Sequence, residues 1–434
     1  MRMYQLEYQN GMAVYTDTEL KLSFTVPEEE CMGMLQTTQL PALRDREEIR
    51  RAFQNPVSGK RLSQIARERN AKSAAILISD ATRGVPTASL ALPVTEELLE
   101  GGVPLSGICF FVGIGVHRPA TEEEMKTFLG DLYGKVRIEN HTPFCRENLI
   151  SLGTTKDGTP VEVNRRAYEC ELHIQIGKVE PHEFAGFSGG RKSVLPGISS
   201  EETIRINHRP ERILDPRAGI GMTDDNPVSM DMEEAAERFR MDFGVNCILN
   251  NEMELAAVFT GGMKESHEAA IDFVKVRLGV KLEKPDLIVT CPGQPLDIDL
   301  YQSVKALIAL TEILDETTVT LFYCGCPEGI NSPDMLRAFS CSDQLEKVVE
   351  WTTRNYEIQM DHVLLLSKFL RKGAKVVLCC EHVNDEDARA MFMIPGGKPT
   401  EAMTLARKLT GREKPKILFY PRPQTGLPVL KPAE

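Results

Sequence analysis

Apolar positions along this chain gather into short unbroken runs, separated by stretches with helical spacing. Ala74-Ala-Ile-Leu-Ile-Ser-Asp80 is the clearest run, Ile108 to Val116 is a second, and Cys170 to Val179 is a third. Runs of this length that stop at polar residues predict central strands covered on both faces. Around them, Arg61 to Arg67 and Leu92 to Gly102 predict helices, and Thr121-Glu-Glu-Glu124 has the spacing of a capping box that opens another. The first sixty residues give only a short β start and a proline-rich connection. Beyond the third run, Met232 to Arg240 and Lys264 to Leu278 predict helices, while Gly244 to Leu249 and Leu255 to Phe259 predict strands.

The pattern breaks at Gly279-Val-Lys-Leu-Glu-Lys-Pro285 and then resumes. Strands are expected at 286–290, 319–324 and 375–380, with helices from Tyr301 to Leu310 and through Trp351 and Phe369. Lys416-Ile-Leu-Phe-Tyr-Pro is a last strand or extended tail. Such alternation predicts an α/β protein of two domains, each with a mostly parallel sheet flanked by helices. The expected domains are 1–278, with the tail 411–434 returning to it, and 279–410.

Composition narrows the function classes. At 434 residues with 42% hydrophobic and 26% charged content, the chain is long enough for two ordinary globular cores. A formal charge of −12 disfavours nucleic acid or an anionic membrane as the main partner. No apolar stretch has signal-peptide character or approaches the roughly 20 residues of a membrane span, so a cytoplasmic location is expected. The 11 cysteines include Cys324-Gly-Cys326 and Cys379-Cys380 but no paired CxxC motifs. They read as small apolar residues in a reducing compartment, with no structural zinc site expected.

Three predicted strands run out at Asp80, His117 and His182, and in open α/β sheets ligands bind beyond the carboxyl ends of strands. The densest chemistry follows the third, in Glu180-Pro-His-Glu-Phe-Ala-Gly-Phe-Ser-Gly-Gly-Arg-Lys-Ser-Val-Leu-Pro-Gly197, then Asn207-His208. Gly186, Gly189, Gly190 and Gly197 permit positive φ and close approach to a ligand. Arg191 beside Lys192 raises the cost of a second positive charge, one way of activating a lysine amine. A phosphate-binding P-loop needs glycine directly before its lysine, and Arg191 stands there; Pro196 also interrupts the following helix. Gly113-Ile-Gly115 lacks the third glycine of a dinucleotide fingerprint.

Asp80-Ala-Thr82-Arg83 fits either an anion-orienting group or an Asp-capped turn. His117 and His182 are suited to giving and taking a proton near neutral pH, although either alone is commonly structural. His208 follows a predicted helix and could bind a metal through one ring nitrogen, though no HExxH-like spacing supports it. Tyr301, Gln302 and Lys305 would share one helical face, turned to a ligand or to solvent.

In order and spacing, Ser79-Asp80-Ala-Thr-Arg83, Gly115-Val-His117-Arg118-Pro, Glu180-Pro-His182, Phe184-Ala-Gly-Phe-Ser-Gly-Gly-Arg-Lys192-Ser, Asn207-His208 and Tyr301-Gln302-Ser-Val-Lys305 resemble the nickel-pincer lactate racemase family across nearly the whole chain. The resemblance implies two α/β domains around a cleft and racemisation of a 2-hydroxy acid. It implies a nickel ion in pyridinium-3-thioamide-5-thiocarboxylic acid mononucleotide, installed by cofactor-synthesis enzymes. It gives Lys192 the covalent tether, His208 the nickel, and His117 and His182 the acid/base steps. Asp80, Thr82, Arg83, Ser188, Gly189 and Gly190 would line the cofactor, and Arg83, Tyr301, Gln302 and Lys305 the substrate. Val116, Asn140-His-Thr142 and Glu328-Gly-Ile-Asn331 depart from the family pattern near the expected pocket. They leave the acid's side chain open: lactate, a longer, branched, aromatic or dicarboxylic 2-hydroxy acid, or a sugar acid. Two other functions fit the residues. One is a lyase or aldolase with a Schiff base on Lys192, and the other is a carrier of the nickel cofactor or an anionic metabolite without turnover.

Overall fold

The computed structural model describes residues 3–357 and 360–431. The chain divides into two compact units, one formed by Gln39–Arg277 and the other by Met1–Thr38 together with Leu278–Glu434.

In the first unit, six strands lie in the order Leu255–Gly261, Phe243–Leu249, Leu172–Lys178, Ala74–Ser79, Ile108–Gly113 and Arg137–Asn140. All neighbours are parallel except the Leu255–Gly261 edge, which runs antiparallel. Ile76, Leu77, Phe110, Phe111, Ile174 and Ile176 are fully or almost fully buried, as a parallel sheet covered on both faces requires. The helices Leu62–Arg69 and Met263–Arg277 fall where periodicity places them, while Thr87–Glu100 and Pro227–Phe239 overlap the predicted ones but start five residues earlier. The capping box forms at Thr121, whose hydroxyl accepts from the Glu124 N–H while the Glu124 carboxylate accepts from Thr121 N. The parallel register pairs Ile176 with Ile78 and Ser79 with Gly113. The chains leaving these three strands, toward His182, Asp80 and His117, therefore emerge side by side at one end of the sheet.

The second unit also has a six-stranded sheet, all parallel, in the order Ile394–Pro395, Lys375–Cys379, Val319–Tyr323, Leu287–Thr290, Ile417–Phe419 and Cys31–Met34. An antiparallel meander of Tyr4–Gln9, Met12–Asp17 and Leu22–Pro27 packs onto it. The Tyr15 ring stacks on Phe419 at 4.6 Å, and its hydroxyl meets that of Tyr323 at 2.7 Å. Residues 3–38 and the tail 411–431 thus lie in the second unit, not with the first domain as expected. The apolar Ile417–Phe419 run pairs with Leu287–Thr290 on one side and Cys31–Met34 on the other, so its ladder is complete there. The helix expected from Tyr301 to Leu310 is two short pieces, Leu300–Ser303 and Lys305–Ile308, meeting at Val304. No helix among the described residues is long and apolar enough to cross a membrane.

Candidate active site

Asp80 makes the Asp-capped turn, one of the two readings the sequence left open, and it also holds His117. Its Oδ1 caps the turn Ala81–Arg83 by accepting from the Thr82 N–H at 3.0 Å and from the Thr82 hydroxyl at 2.5 Å. Its Oδ2 lies 2.7 Å from His117 Nδ1. The carboxylate is buried while the His117 ring is about one-third exposed. Burial pushes the Asp80 carboxyl up, but the hydrogen bonds from His117 and Thr82 and the nearby Arg83 charge outweigh it and hold it below the usual range. An ionised Asp80 accepts a hydrogen bond from His117 Nδ1–H and so leaves Nε2 as the basic nitrogen. Asp80 and Thr82, expected on the cofactor, are hydrogen-bonded to each other and, through Asp80, to His117, with Arg83 exposed beside them.

The glycine-rich stretch packs closely against the rest of its own unit. Gly186, Gly189 and Gly190 have positive φ, but a side chain at any of them would strike protein. A Cβ on Gly189 would meet Val179 Cγ2 at 2.6 Å, and one on Gly190 would meet the His267 ring at 2.5 Å. The Gly190 N–H donates to Asn246 Oδ1 at 3.0 Å, and the Ser188 hydroxyl donates to the Lys178 carbonyl at 2.8 Å. Gly189 and Gly190 let the loop press against its own sheet and the Met263–Arg277 helix, and Gly186 lets it press against Met222. Gly190→Ala is expected to destabilise the fold by about 1–3 kcal/mol through overpacking, as urea unfolding would measure.

Arg191 is 1% exposed and pinned from four sides. It donates to the Ala185 carbonyl at 2.9 Å, the Ser229 hydroxyl at 2.8 Å and His267 Nδ1 at 3.1 Å, and lies 3.4 Å from the Glu233 carboxylate. His267 Nε2 in turn donates to the Ser188 carbonyl at 2.8 Å. Adjacent positions in the Gly190–Ser193 turn thus divide the work: Arg191 anchors the loop internally, and Lys192 is only half-buried.

Phe184 gathers three of the expected site residues, a role sequence reasoning missed. The His182 ring meets it edge-on at 4.7 Å, the His208 ring at 5.1 Å, and Lys192 Nζ lies 5.6 Å from its centroid. A phenylalanine between two histidines and a lysine is recognisable as a hub only once the loop is folded. His208 ends the helix Glu201–Asn207 and is 9% exposed. Its Nδ1 lies 3.1 Å from the Ile204 carbonyl, so Nδ1 carries the proton and Nε2 keeps its lone pair, the usual arrangement of a metal-binding imidazole. His182 Nδ1 accepts from the Ala185 N–H at 3.4 Å and lies 3.5 Å from Glu183 Oε2. The neutral ring uses the first contact and the protonated ring the second, so each protonation state has a partner at that nitrogen.

In the second unit, the Tyr301 ring packs on His362 at 4.2 Å, and the Gln302 N–H is capped by Asp299 at 2.7 Å. The loop after Val319–Tyr323 holds this segment in place. Leu300 N–H donates to the Gly329 carbonyl at 2.8 Å and Tyr301 N–H to the Ile330 carbonyl at 3.2 Å.

Two buried histidines set an acid limit for the first unit. Burial pushes His141 down to about 4, and burial with the Arg191 charge pushes His267 down to about 3. Unfolded imidazoles protonate near 6.5, so below that pH the unfolded chain binds more protons than the folded one. Stability is expected to fall as pH drops from there toward 4, by up to about 1.4 kcal/mol per pH unit for each histidine. Asp80 and Asp231, held below the usual carboxylate range, add their loss only at still lower pH. Urea midpoints measured across this range would show the slope.

Comparison with known proteins gives one answer from three directions. Residues 15–221 match the family model of the lactate racemase N-terminal domain, and 280–424 that of the lactate racemase C-terminal domain. The lactate racemase of Thermoanaerobacterium thermosaccharolyticum is 30% identical over 415 residues, covering 92% of this chain and 95% of that protein. The lactate racemase of Lactiplantibacillus plantarum is 33% identical over 289 residues, covering 66% and 68%. The structure of the Thermoanaerobacterium thermosaccharolyticum lactate racemase apoprotein superposes with a TM-score of 0.84 at 29% identity, covering 95% of this chain and 97% of that one. A Thermotoga maritima protein shares the fold, with a TM-score of 0.63 at 20% identity, covering 90% and 100%. The chain belongs to the lactate racemase family and is an isomerase.

Proposed function

We propose that this protein racemises a 2-hydroxy acid of the lactate class, with His117 and His182 as the two proton carriers. The observation that carries the reading is the 2.7 Å contact of Asp80 with His117 Nδ1, at the same sheet end from which the chain enters the loop of His182, Lys192 and His208. A base must accept a hydroxyl proton and keep the resulting cation. Asp80 is placed to do the second while Nε2 does the first. His182, with a partner for either protonation state, fits the opposite role. Reversing direction exchanges the two roles.

Family membership implies a nickel-dependent cofactor, and the residues fit the nickel-pincer mononucleotide. Lys192 would tether it, and His208 would offer Nε2 to the metal, both grouped about Phe184. When bound, the cofactor supplies a hydride acceptor, which spares the protein from removing a barely acidic C2 proton next to a carboxylate. The residues then hold the substrate, take the hydroxyl proton as the planar 2-keto acid forms, and return it to that oxygen as C2 regains its hydride on either face. Arg83 is assigned the substrate carboxylate, with Tyr301, Gln302 and Lys305 as further contacts. Lys305→Met is expected to raise KM more than it lowers kcat, which steady-state kinetics would show. Free cysteines throughout the chain suit the reducing cytoplasm in which cofactor-synthesis enzymes would load it.

Protein coexpressed with the cofactor pathway should carry one nickel per chain and a cofactor-sized mass on the Lys192 peptide. An unmodified Lys192 that borohydride traps with a carbonyl substrate would instead establish Schiff-base chemistry.

A further inference from the structure

We propose that Cys324, Cys326 and Cys380 form a binding site for a soft thiophilic cation of the zinc(II) and copper(I) class. Their three sulfurs all lie within 4.8 Å of one another, and all are free thiols. A cation bonded to thiolates at about 2.3 Å needs sulfurs spaced about 3.8–4.0 Å apart, so small side-chain adjustments suffice. Three sulfur donors without a carboxylate select soft ions over magnesium, calcium or manganese.

The fold accounts for the cluster. Val319–Tyr323 and Lys375–Cys379 are adjacent parallel strands with Tyr323 opposite Cys379, so Cys324 and Cys380 leave the same sheet end side by side. Cys326 is turned back toward them at φ 46°, with its N–H on the Asp297 carbonyl at 3.1 Å and the Gly325 N–H on Asp297 Oδ1 at 2.8 Å. Cys324 and Cys326 are buried and Cys380 is half-buried, which leaves an entry side where water could complete the coordination. Each ligating thiol releases its proton to solvent on binding. Cys326 Sγ also lies 3.4 Å from the Ser303 hydroxyl, so a bound ion would brace the short segment that carries Tyr301 and Gln302. The site lies in the other unit from Lys192 and His208 and does not rest on the proposed reaction.

The test is titration of the reduced, chelator-treated full chain with cadmium(II), read by thiolate-to-cadmium absorbance in the ultraviolet. One equivalent should saturate the band, protect Cys380 from alkylation while leaving exposed Cys341 reactive, and be displaced by copper(I). Cys380→Ser should weaken binding by at least the roughly 10–100-fold that loss of even an outer-shell partner costs, and Cys341→Ser should leave it unchanged. The wild-type titration and protection need no variant to fold. Absence of the band, protection elsewhere, or unchanged binding in Cys380→Ser would overturn the proposal. A disulfide joining two of the three in protein isolated without reductant would overturn it in favour of redox chemistry.

Discussion

Replacing His117 by alanine in cofactor-loaded protein is expected to lower kcat for racemisation by about 10²–10⁴-fold, the usual value of a positioned general acid or base. The loss should appear in both directions, because net racemisation needs both proton carriers whichever enantiomer is supplied. The ring is about one-third exposed and sits in the loop after a strand, so its removal leaves the sheet intact. The unfolding free energy should fall only by what the buried Asp80 carboxylate loses with its partner, about 1–3 kcal/mol. Asp80→Asn should reproduce part of the effect, since it removes the charge that holds a protonated His117 while leaving the ring in place. Chiral chromatography of single-enantiomer reactions measures both variants. A His117→Ala protein that racemises at the parent rate would remove His117 from the mechanism.

The largest expected loss of stability comes from Arg191. Arg191→Met should cost about 3–5 kcal/mol, the penalty for breaking a buried charged group out of its network. The substitution strands the Ala185 carbonyl, the Ser229 hydroxyl, His267 Nδ1 and the Glu233 carboxylate, all inside the fold. Burial already pushes the Glu233 carboxyl up, and losing Arg191 removes the first charge that opposes this. Arg191→Lys should rescue little, because an ammonium cannot reproduce a planar fork that reaches four partners. Urea unfolding measures both variants; a cost below about 1 kcal/mol would mean that the network contributes little beyond what exposed ion pairs provide.

Much of the fold was legible because parallel strands buried on both faces leave an unbroken apolar signature. The runs at 74–79, 108–113 and 172–178 gave three strands of the first sheet and the end at which chemistry collects. The N-terminal meander was missed although its signal was present. Asn10-Gly11, both at positive φ, make the tight turn joining Tyr4–Gln9 to Met12–Asp17. The destination of the tail was not legible, because an apolar strand states that it will pair without saying with which sheet.

In the site, residue types were readable and their duties less so. His182, Lys192 and His208 meet at Phe184 as their crowding within one stretch suggested. The hold of Asp80 on His117 and the packing of Gly190 against His267 were not readable, because each depends on a neighbour distant in sequence. The cysteines show the same limit. Cys380 joins Cys324 and Cys326 only through the pairing of two parallel strands, which spacing along the chain does not reveal.

The central claim is tested most directly by giving nickel-loaded protein each pure enantiomer of lactate in turn and following both by chiral chromatography. Enantiomers have equal free energy, so the account predicts that both reactions converge on equal amounts of the two forms. Conversion of either enantiomer to a different product, or no interconversion across a panel of 2-hydroxy acids in protein with nickel and the Lys192 adduct verified, would contradict it.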